Sequence, residues 1–368
     1  MDIEQMLRDE VKTAKKAAHG GDVWAHNRAL VDFSSNVNPF GPSKKVLKGI
    51  KESLWKLSYY PDPGSNELKD ALSNYLGVDT GNIAVGNGST ELVKNFLELV
   101  IEKGDRVIIP EPTFSEYEVY SRLYGANIKH IFSKRKDDFS INVEEIIEKI
   151  NDKTKIVFIC NPNNPTGKIL DPQGLERIIS SARDHGSFVF VDEAYIEFTE
   201  SEGMSQKIGE YDNLFVLRSI TKFFSLPGMR AGYGVGEKRL INYLEKIRVP
   251  WNVNILAQTA TVESLKDEEF IKTSRDLITE EKDFLFEEIS RLDGVEILSS
   301  DTNFFLIDLK KSGIKSNELK KRLIEKGLLI RDCSSFNGLD ESFIRISVRG
   351  REENSLLVNS LREVLAGA

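Results

Sequence analysis

The sequence predicts an α/β fold: a large domain with a mostly parallel central sheet flanked by helices, followed by a smaller α+β domain. Between about residues 60 and 233, short apolar and β-branched runs alternate with amphipathic helical stretches. This alternation is typical of strands joined by helical crossovers. After Trp251 the pattern changes to a long, charged helical stretch at about residues 257–292, followed by shorter segments of both types.

Each element of the first region follows from its local pattern. The runs predicted to be strands buried on both faces are DRVIIP, TKIVFIC, GSFVFVDEA and DNLFVLRS. STELVKNFLELVIEKG begins on hydroxyl residues, has an acid in its first turn and ends at Gly104, so it is predicted to be a capped helix. SEYEVYSRLYG and NVEEIIEKI are similar helices. In such sheets a ligand binds beyond the carboxyl ends of the strands.

The second region contains the strand-like segments VEILSS, NFFLIDL, LLIRDC and FIRISV, the helical segment NELKKRLIEKG and a closing helix. We therefore predict a large domain at residues 56–250 and a small C-terminal domain at 251–368. The first 55 residues are too few for a domain of their own. We expect residues 1–55 to pack with the small domain.

Composition excludes several classes of protein. The formal net charge of -8 disfavours nucleic-acid binding. Two cysteines, Cys160 and Cys333, lack CxxC spacing, and the four histidines lack ligand spacing, so we predict no metal site and a reducing compartment. No apolar run approaches the roughly 18 residues of a membrane span. We expect a cytoplasmic protein that does not bind membranes.

Lys222 stands between a predicted buried strand and a glycine-rich turn. Ser219 and Thr221 flank it, and Arg230 follows eight residues later. A lysine at a strand end is most often simply solvated. Two hydroxyls, a lysine and an arginine around one turn also suit a covalent amine nucleophile beside a bound phosphate.

A second candidate for phosphate binding is VGNGSTE, where two glycines precede a helix. Free amides at the helix start, with the hydroxyls of Ser89 and Thr90, would form an anion cradle. A turn before a helix explains the segment equally well. The segment does not complete GxGxxG, which disfavours a dinucleotide-binding fold.

Asp192 ends the apolar strand FVFVDEAY, where an unpaired carboxylate would be costly. It is either a helix cap, a member of a core salt bridge, or the partner of a buried cation such as a protonated ring nitrogen. The segment NPNNPTG is either a plain turn or a rigid holder for an asparagine amide. Together with the lysine and the phosphate cradle, these residues suit pyridoxal phosphate chemistry.

The order NPNNPTG, DEAY and SITKFFSLPGMRAGY resembles the fold type I pyridoxal-phosphate enzymes, in particular the histidinol-phosphate aminotransferase group, over essentially the whole chain. The resemblance implies that Lys222 binds the cofactor covalently and that Asp192 pairs with its pyridine nitrogen. Tyr195, the third predicted catalytic residue, and Asn164 would hydrogen-bond the ring hydroxyl. The resemblance assigns stacking on the ring to Phe114, and phosphate binding to Ser89, Thr90, Ser219, Thr221 and Arg230.

Tyr60, in YYPDP, resembles the tyrosine that reaches the cofactor phosphate of the neighbouring subunit. The resemblance therefore also implies a homodimer with active sites shared between subunits.

Within this group, finer matches favour threonine-phosphate decarboxylase. AHGGD, DFSSNVNPFG, VPWNVNILA and LIRDCSSFNGLDESFIRISVR resemble segments of that subfamily. We therefore expect decarboxylation of L-threonine O-3-phosphate to (R)-1-amino-2-propanol O-2-phosphate for cobalamin biosynthesis. The alternative is a histidinol-phosphate aminotransferase of histidine biosynthesis, or a related aminotransferase. The substrate-binding residues implied are His19, Asn38, Arg331, Arg345 and Arg349.

The arginines also have a physical argument. Arg345 and Arg349 are four residues apart, and an even separation preserves the face of a strand. If this strand pairs near Arg331, three guanidiniums converge, which suits a dianionic phosphate or a carboxylate. The alternative is that the arginines lie on a solvated strand face.

Two other classes of protein are disfavoured. A binding module on an inactive aminotransferase fold often lacks the lysine or the aspartate, whereas Lys222 and Asp192 are both present. Too few residues precede Phe33 for an added DNA-binding domain. A nicotinamide-dependent dehydrogenase is disfavoured because this sequence lacks the glycine fingerprint of that class. That function would also leave the position of Lys222 unexplained.

Overall fold

The computed structural model describes residues 3–367 and contains a seven-stranded sheet in its first part. The strands of the chain are β1 (Val31–Asp32), β2 (Ile83–Gly86), β3 (Arg106–Glu111), β4 (Asn127–Phe132), β5 (Thr154–Cys160), β6 (Phe188–Asp192), β7 (Leu214–Ser219), β8 (Gly232–Gly236), β9 (Glu296–Ile297), β10 (Phe304–Asp308), β11 (Leu328–Leu329), β12 (Arg331–Asp332) and β13 (Phe343–Ser347).

Helices surround these strands. The α-helices are α1 (Asp9–Thr13), α2 (Lys44–Glu52), α3 (Asn66–Leu76), α4 (Ser89–Val100), α5 (Glu116–Leu123), α6 (Val143–Lys149), α7 (Pro172–Asp184), α8 (Lys238–Ile247), α9 (Ile255–Leu265), α10 (Glu268–Ser290), α11 (Ser316–Glu325) and α12 (Arg351–Ala366). Among the described residues, no helix is both long enough and apolar enough to cross a membrane.

The large sheet has the strand order β2-β8-β7-β6-β5-β3-β4. Only β8 runs antiparallel to its neighbours, and the other pairs are parallel. The predicted α/β fold with a mostly parallel sheet is therefore confirmed. β5, β6 and β7 consist almost entirely of buried residues. Both faces of the sheet are therefore covered, as is typical of parallel sheets flanked by helices.

The central strands also fix the position of the candidate site. Cys160 on β5 lies opposite Asp192 on β6, which lies opposite Leu217 on β7. The three strands therefore end side by side, and the residues that follow them lie at one edge of the sheet. Below this edge, the buried Arg218 forms salt bridges with Glu193 at 2.8 Å and Glu197 at 3.3 Å.

The second part of the chain has its own sheet, in the order β12-β13-β10-β9. Its apolar core includes Phe33 from the N-terminal segment, packed among residues from α10, α11 and α12. The same segment provides β1, which pairs in parallel with β11. The predicted domain boundaries at residues 55 and 250 remain predictions.

The stretch predicted as one helical run at residues 257–292 is two helices, α9 and α10. The break falls at Lys266 and Asp267, where the Asp267 carboxylate accepts a hydrogen bond from the Phe270 amide at 3.4 Å. Lys45 pairs with the same carboxylate at 2.9 Å. An aspartate at a helix N-cap satisfies an amide that has no partner within the helix, so it favours a new start at this point.

Candidate active site

A cavity of about 420 Å³ lies at the carboxyl ends of β5, β6 and β7, against the second sheet. Most of the predicted site residues line this cavity. They are His19, Ser89, Thr90, Phe114, Asn164, Asp192, Tyr195, Ser219, Thr221, Lys222, Arg230, Arg331 and Arg345. Residues that lie more than 300 positions apart in the sequence, such as His19 and Arg345, therefore meet at one cavity.

Lys222 lies in the turn that follows β7, and its side chain lines the cavity. Its backbone carbonyl accepts a hydrogen bond from the backbone amide of Asn38 at 2.8 Å, which connects this turn to the N-terminal segment. Burial lowers the pKa of Lys222 to about 8, and the positive charges of Arg345 and Arg230 add to this effect. At pH 7 the amine is therefore neutral in about a tenth of the molecules, far more than for a free lysine.

Asp192 ends β6 and presents a buried carboxylate to the cavity. One carboxylate oxygen accepts a hydrogen bond from the Tyr117 hydroxyl at 2.6 Å, and the other from the Ala194 amide at 2.9 Å. Burial raises the pKa of Asp192, and the hydrogen bond from Tyr117 opposes that rise. Within residues 3–367 the carboxylate has no salt bridge, so a cation in the cavity would be its natural partner.

Beside the lysine, the start of α4 forms the predicted anion cradle. Gly88 has φ 83° and directly precedes Ser89, the first residue of the helix. A Cβ atom at position 88 would collide with the guanidinium of Arg230, so the close approach of that cation requires glycine. The Ser219 hydroxyl accepts a hydrogen bond from the Thr221 amide at 3.2 Å. Hydroxyls, helix-start amides and a guanidinium thus surround one corner of the cavity.

Tyr195 and Asn164 also line the cavity. The Tyr195 hydroxyl accepts a hydrogen bond from the side-chain amide of Asn36 at 3.2 Å, and burial raises its pKa to about 12. Asn164 accepts a hydrogen bond from Arg345 through its side-chain oxygen. Both side chains are therefore held in place before any ligand binds.

Arg331 on β12 and Arg345 on β13 are paired across two antiparallel strands. Arg331 donates to the backbone oxygens of His19 at 3.0 Å and Ala18 at 2.8 Å, and Arg345 donates to the backbone oxygen of Ser34 at 2.7 Å. Both residues are buried. In the described part of the chain neither guanidinium has a carboxylate partner, so the pair offers two positive charges to an anion.

Arg349 does not join this pair, and the predicted convergence of three guanidiniums is wrong. The strand ends at Ser347, so the argument from even spacing no longer applies two residues later. Arg349 instead forms a salt bridge with Glu353 of α12 at 3.1 Å and does not line the cavity.

Asn38 and Tyr60 also lie outside the cavity. The side-chain amide of Asn38 is buried and donates to the backbone oxygen of Phe223 at 2.9 Å and to Ser274 at 3.0 Å, so it holds structure rather than facing a substrate. Tyr60 is 78% exposed, and its ring stacks on Trp251. Its predicted contact with a neighbouring subunit remains a prediction.

Sequence reasoning missed three residues of the site. Tyr117 lies three residues after Phe114 and contacts Asp192, and both residues are visible in PTFSEY. Asn36 lies two residues before Asn38 in the same segment, and nothing in the sequence distinguishes the two. Glu116 lines the cavity and pairs with His19 at 2.7 Å, a contact across 97 residues that has no local signal.

Fold and site together define a pyridoxal-phosphate enzyme of fold type I. The chain belongs to the aminotransferase class I and II family, whose sequence profile matches residues 28–361. It is 35% identical to the histidinol-phosphate aminotransferase of Methanocaldococcus jannaschii over 99% of both chains. The resemblance inferred from the motifs is confirmed.

Solved structures are similar over nearly the same length. The histidinol-phosphate aminotransferase from Clostridium acetobutylicum has a TM-score of 0.86 and 31% identity, covering 92% of this chain and 100% of that one. The L-threonine-O-3-phosphate decarboxylase from Porphyromonas gingivalis has a TM-score of 0.81 and 30% identity, covering 91% of this chain and 99% of that one.

The expectation of a threonine-phosphate decarboxylase is wrong. Relatives between 32% and 37% identical to this chain over at least 90% of its length are histidinol-phosphate aminotransferases. The decarboxylase is found instead among the structural neighbours. The structure also removes the physical argument for that expectation, because Arg349 pairs with Glu353 and does not enter the cavity.

Pyridoxal phosphate is the cofactor of this family, and the residues of the cavity fit it. The buried Asp192 carboxylate forms no salt bridge among the described residues, and a protonated pyridine nitrogen would supply one. The corner at Gly88 and Arg230 combines the start of a helix with a guanidinium, as a phosphate group requires.

Proposed function

We propose that this protein is a histidinol-phosphate aminotransferase, which transfers an amino group between histidinol phosphate and 2-oxoglutarate. The observation that carries the proposal is the pair of buried guanidiniums, Arg331 and Arg345, which have no carboxylate partner in the described residues and share a cavity with Lys222. The names of the relatives that match the whole chain support the same substrate.

We propose that the predicted residues hold the cofactor as the family resemblance implies. Lys222 would attach it, Asp192 would pair with its ring nitrogen, and Phe114 would stack on its ring. Tyr195 and Asn164 would bind the ring hydroxyl. The residues proposed to bind its phosphate are Ser89, Thr90, Ser219, Thr221 and Arg230. When bound, pyridoxal phosphate supplies an electron sink and a carrier for the amino group.

Lys222 then has a second task, which is to move a proton. Its Nζ atom would take the proton from the carbon that bears the amino group and deliver it to a different atom, so that this carbon can become the keto carbon of the product. A base works best when its pKa lies close to the working pH. The burial and the neighbouring arginines that lower the pKa of Lys222 to about 8 support this role.

Asp192 and Tyr117 act as a unit. The carboxylate would keep a negative charge next to the ring nitrogen, and the Tyr117 hydroxyl orients the carboxylate through their 2.6 Å hydrogen bond. The resulting ion pair would lie away from bulk water, where a charge-assisted contact is strong.

Arg331 and Arg345 bind the anionic end of each substrate in turn. Histidinol phosphate brings a phosphate and 2-oxoglutarate a carboxylate, and a guanidinium binds either of them through two parallel hydrogen bonds. One positive subsite therefore serves both halves of the reaction. The position of the two residues directly across β12 and β13 supports a joint grip on one anion.

We also infer a homodimer. A group of large apolar side chains lies exposed on this chain, in the segment before α3 and near the end of α8. Its members are Leu54, Trp55, Leu57, Tyr59, Tyr60 and Trp251. An exposed apolar patch of this kind is typical of a subunit interface. Sedimentation equilibrium of the purified protein is expected to give twice the chain mass of 41.6 kDa, and a monomer would contradict the inference.

The test of the proposed function compares amino donors. The purified, cofactor-loaded protein is incubated with 2-oxoglutarate and either histidinol phosphate, aspartate or L-threonine O-3-phosphate. We expect glutamate to form fastest with histidinol phosphate. Faster transfer from aspartate, or release of CO2 from L-threonine O-3-phosphate, would contradict the proposal.

A further inference from the structure

His19 connects two charged groups of the cavity wall. Its backbone oxygen accepts a hydrogen bond from the Arg331 guanidinium at 3.0 Å, and its imidazole Nε2 lies 2.7 Å from the Glu116 carboxylate. The imidazole also faces the Phe114 ring, with the two centroids 6.0 Å apart. His19 thus bonds to the Arg331 cation through its backbone oxygen and to the Glu116 carboxylate through its imidazole.

Glu116 is built into the wall rather than attached to its surface. It occupies the first turn of α5, directly after the loop that carries Phe114, and its side chain is only 13% exposed. Among the described residues that line the cavity, Glu116 and Asp192 are the two acids. Asp192 is bonded to Tyr117 and faces the proposed ring nitrogen, so Glu116 is the acid left for another ligand group.

The segment that carries His19 is held much less firmly. Residues 14–19 form neither helix nor strand, and the His19 side chain is half exposed. Its bonds to the cavity wall are those with Arg331 and Glu116, and both of these groups would bond a substrate equally well. Displacing the His19 segment from the cavity wall therefore disrupts no helix or strand.

We propose that Glu116 is the specificity residue that binds the substrate's imidazole, and that His19 occupies this subsite until the substrate displaces it. This inference rests on the proposed function. Histidinol phosphate carries the same two features as His19, an imidazole at one end and oxygen acceptors at the other. Its phosphate would take the place of the His19 backbone oxygen on Arg331, and its ring N–H would donate to Glu116.

Two substitutions are expected to act in opposite directions. Glu116→Gln keeps the shape but removes the charge, so kcat/KM for histidinol phosphate should fall by about tenfold, as for loss of a charge-assisted hydrogen bond. His19→Ala removes the competing imidazole, so KM for histidinol phosphate should fall. Glu118→Gln is the matched control, because it removes a charge from the same helix turn but does not line the cavity.

The experiment measures kcat/KM of the holoenzyme for histidinol phosphate and for the phosphate ester of L-phenylalaninol, which has a ring without an N–H group. In Glu116→Gln the preference for histidinol phosphate should drop about tenfold, with little change for the phenyl compound. Calorimetric titration of histidinol phosphate into the wild-type and Glu116→Gln enzymes in their pyridoxamine-phosphate forms, which carry no aldehyde to react with the substrate amine, measures the same loss as binding alone. Thermal melting confirms that each variant is folded.

The outcomes separate the two proposals. If the wild-type holoenzyme forms no glutamate from histidinol phosphate, the proposed function is wrong and the inference fails with it. If the wild type is active but Glu116→Gln keeps the same preference, the inference alone is overturned. A rise in KM on His19→Ala would overturn the displacement of His19, because it would make this imidazole a substrate contact.

Discussion

The cavity has two walls that are built in different ways. One wall is formed by the ends of β6 and β7 and the start of α4, which place Asp192 at the end of a buried strand, Lys222 in the turn after another, and Ser89 at the start of a 12-residue helix. The other is formed by the two-residue strand β12, by β13 and by the irregular segment around His19. The first wall carries the residues proposed for chemistry, and the second carries those proposed for substrate binding.

The two walls differ in how firmly they must hold their side chains. A reacting amine must be held in one place, and the parallel strands under Lys222 are buried on both faces and supported by the Arg218 salt bridges. The substrate wall must instead admit two different anions, so it is made of side chains that now bond to neutral backbone oxygens. Substitutions in the first wall should therefore lower kcat, and substitutions of Arg331 or Arg345 in the second should raise KM.

The largest effect is expected for Lys222→Ala. Removing the amine removes both the attachment point and the proton carrier, so kcat should fall by at least about 10³-fold. Steady-state assays of glutamate formation measure the loss. The melting temperature of the cofactor-free protein should hardly fall, because the side chain faces a cavity. Activity within tenfold of wild type would show that the chemistry lies elsewhere.

The next effect tests the acid of the same wall. Asp192→Asn keeps the shape but removes the charge, and we expect kcat to fall by about 100-fold. Tyr117→Phe removes only the 2.6 Å hydrogen bond to that carboxylate, so its cost should be about tenfold or less. Comparing kcat of the two variants checks that Asp192 acts directly and Tyr117 through it. Equal losses would contradict that order.

A smaller effect is expected on the substrate wall. Arg345→Lys retains the charge but loses the guanidinium fork, so KM should rise by about tenfold for both histidinol phosphate and 2-oxoglutarate. Arg349→Lys is the control, and because Arg349 pairs with Glu353 outside the cavity its kinetics should stay within about twofold of wild type. A change in KM for one substrate alone would break the proposal of a shared anion subsite.

The smallest effect is a shift along the pH axis. Because the pKa of Lys222 is lowered to about 8, its amine should become reactive at a lower pH than a free lysine. The rate at which the cofactor loads onto the cofactor-free protein should therefore rise with pH and level off above about 8. Arg345→Gln removes a neighbouring positive charge, so the pKa should rise and the plateau should move to higher pH. A wild-type rate that keeps rising to pH 10 would contradict the lowered pKa.

The same comparison explains what the sequence could predict. Lys222 and Asp192 each follow a run of buried strand residues, and their positions at one sheet edge follow from the parallel topology. Local pattern was sufficient for this wall.

For the other wall, local pattern was not sufficient. The argument about Arg349 failed because the strand stops at Ser347, a boundary that side-chain periodicity does not reveal. Glu116 meets His19 across 97 residues, and only the folded chain brings them together. The functional predictions divide in the same way. The cofactor, which depends on the first wall, was inferred correctly, whereas the expected reaction, which depends on the second wall, was wrong.

The most direct test of the central claim, that Lys222 on the rigid wall carries the cofactor, is chemical trapping. Borohydride reduction of the loaded protein fixes the cofactor to the amine that holds it, and mass spectrometry of the digested protein locates the modified residue. We predict a single modified peptide, with the added mass on Lys222. Modification of a different lysine, with Lys222 unmodified, would contradict the account.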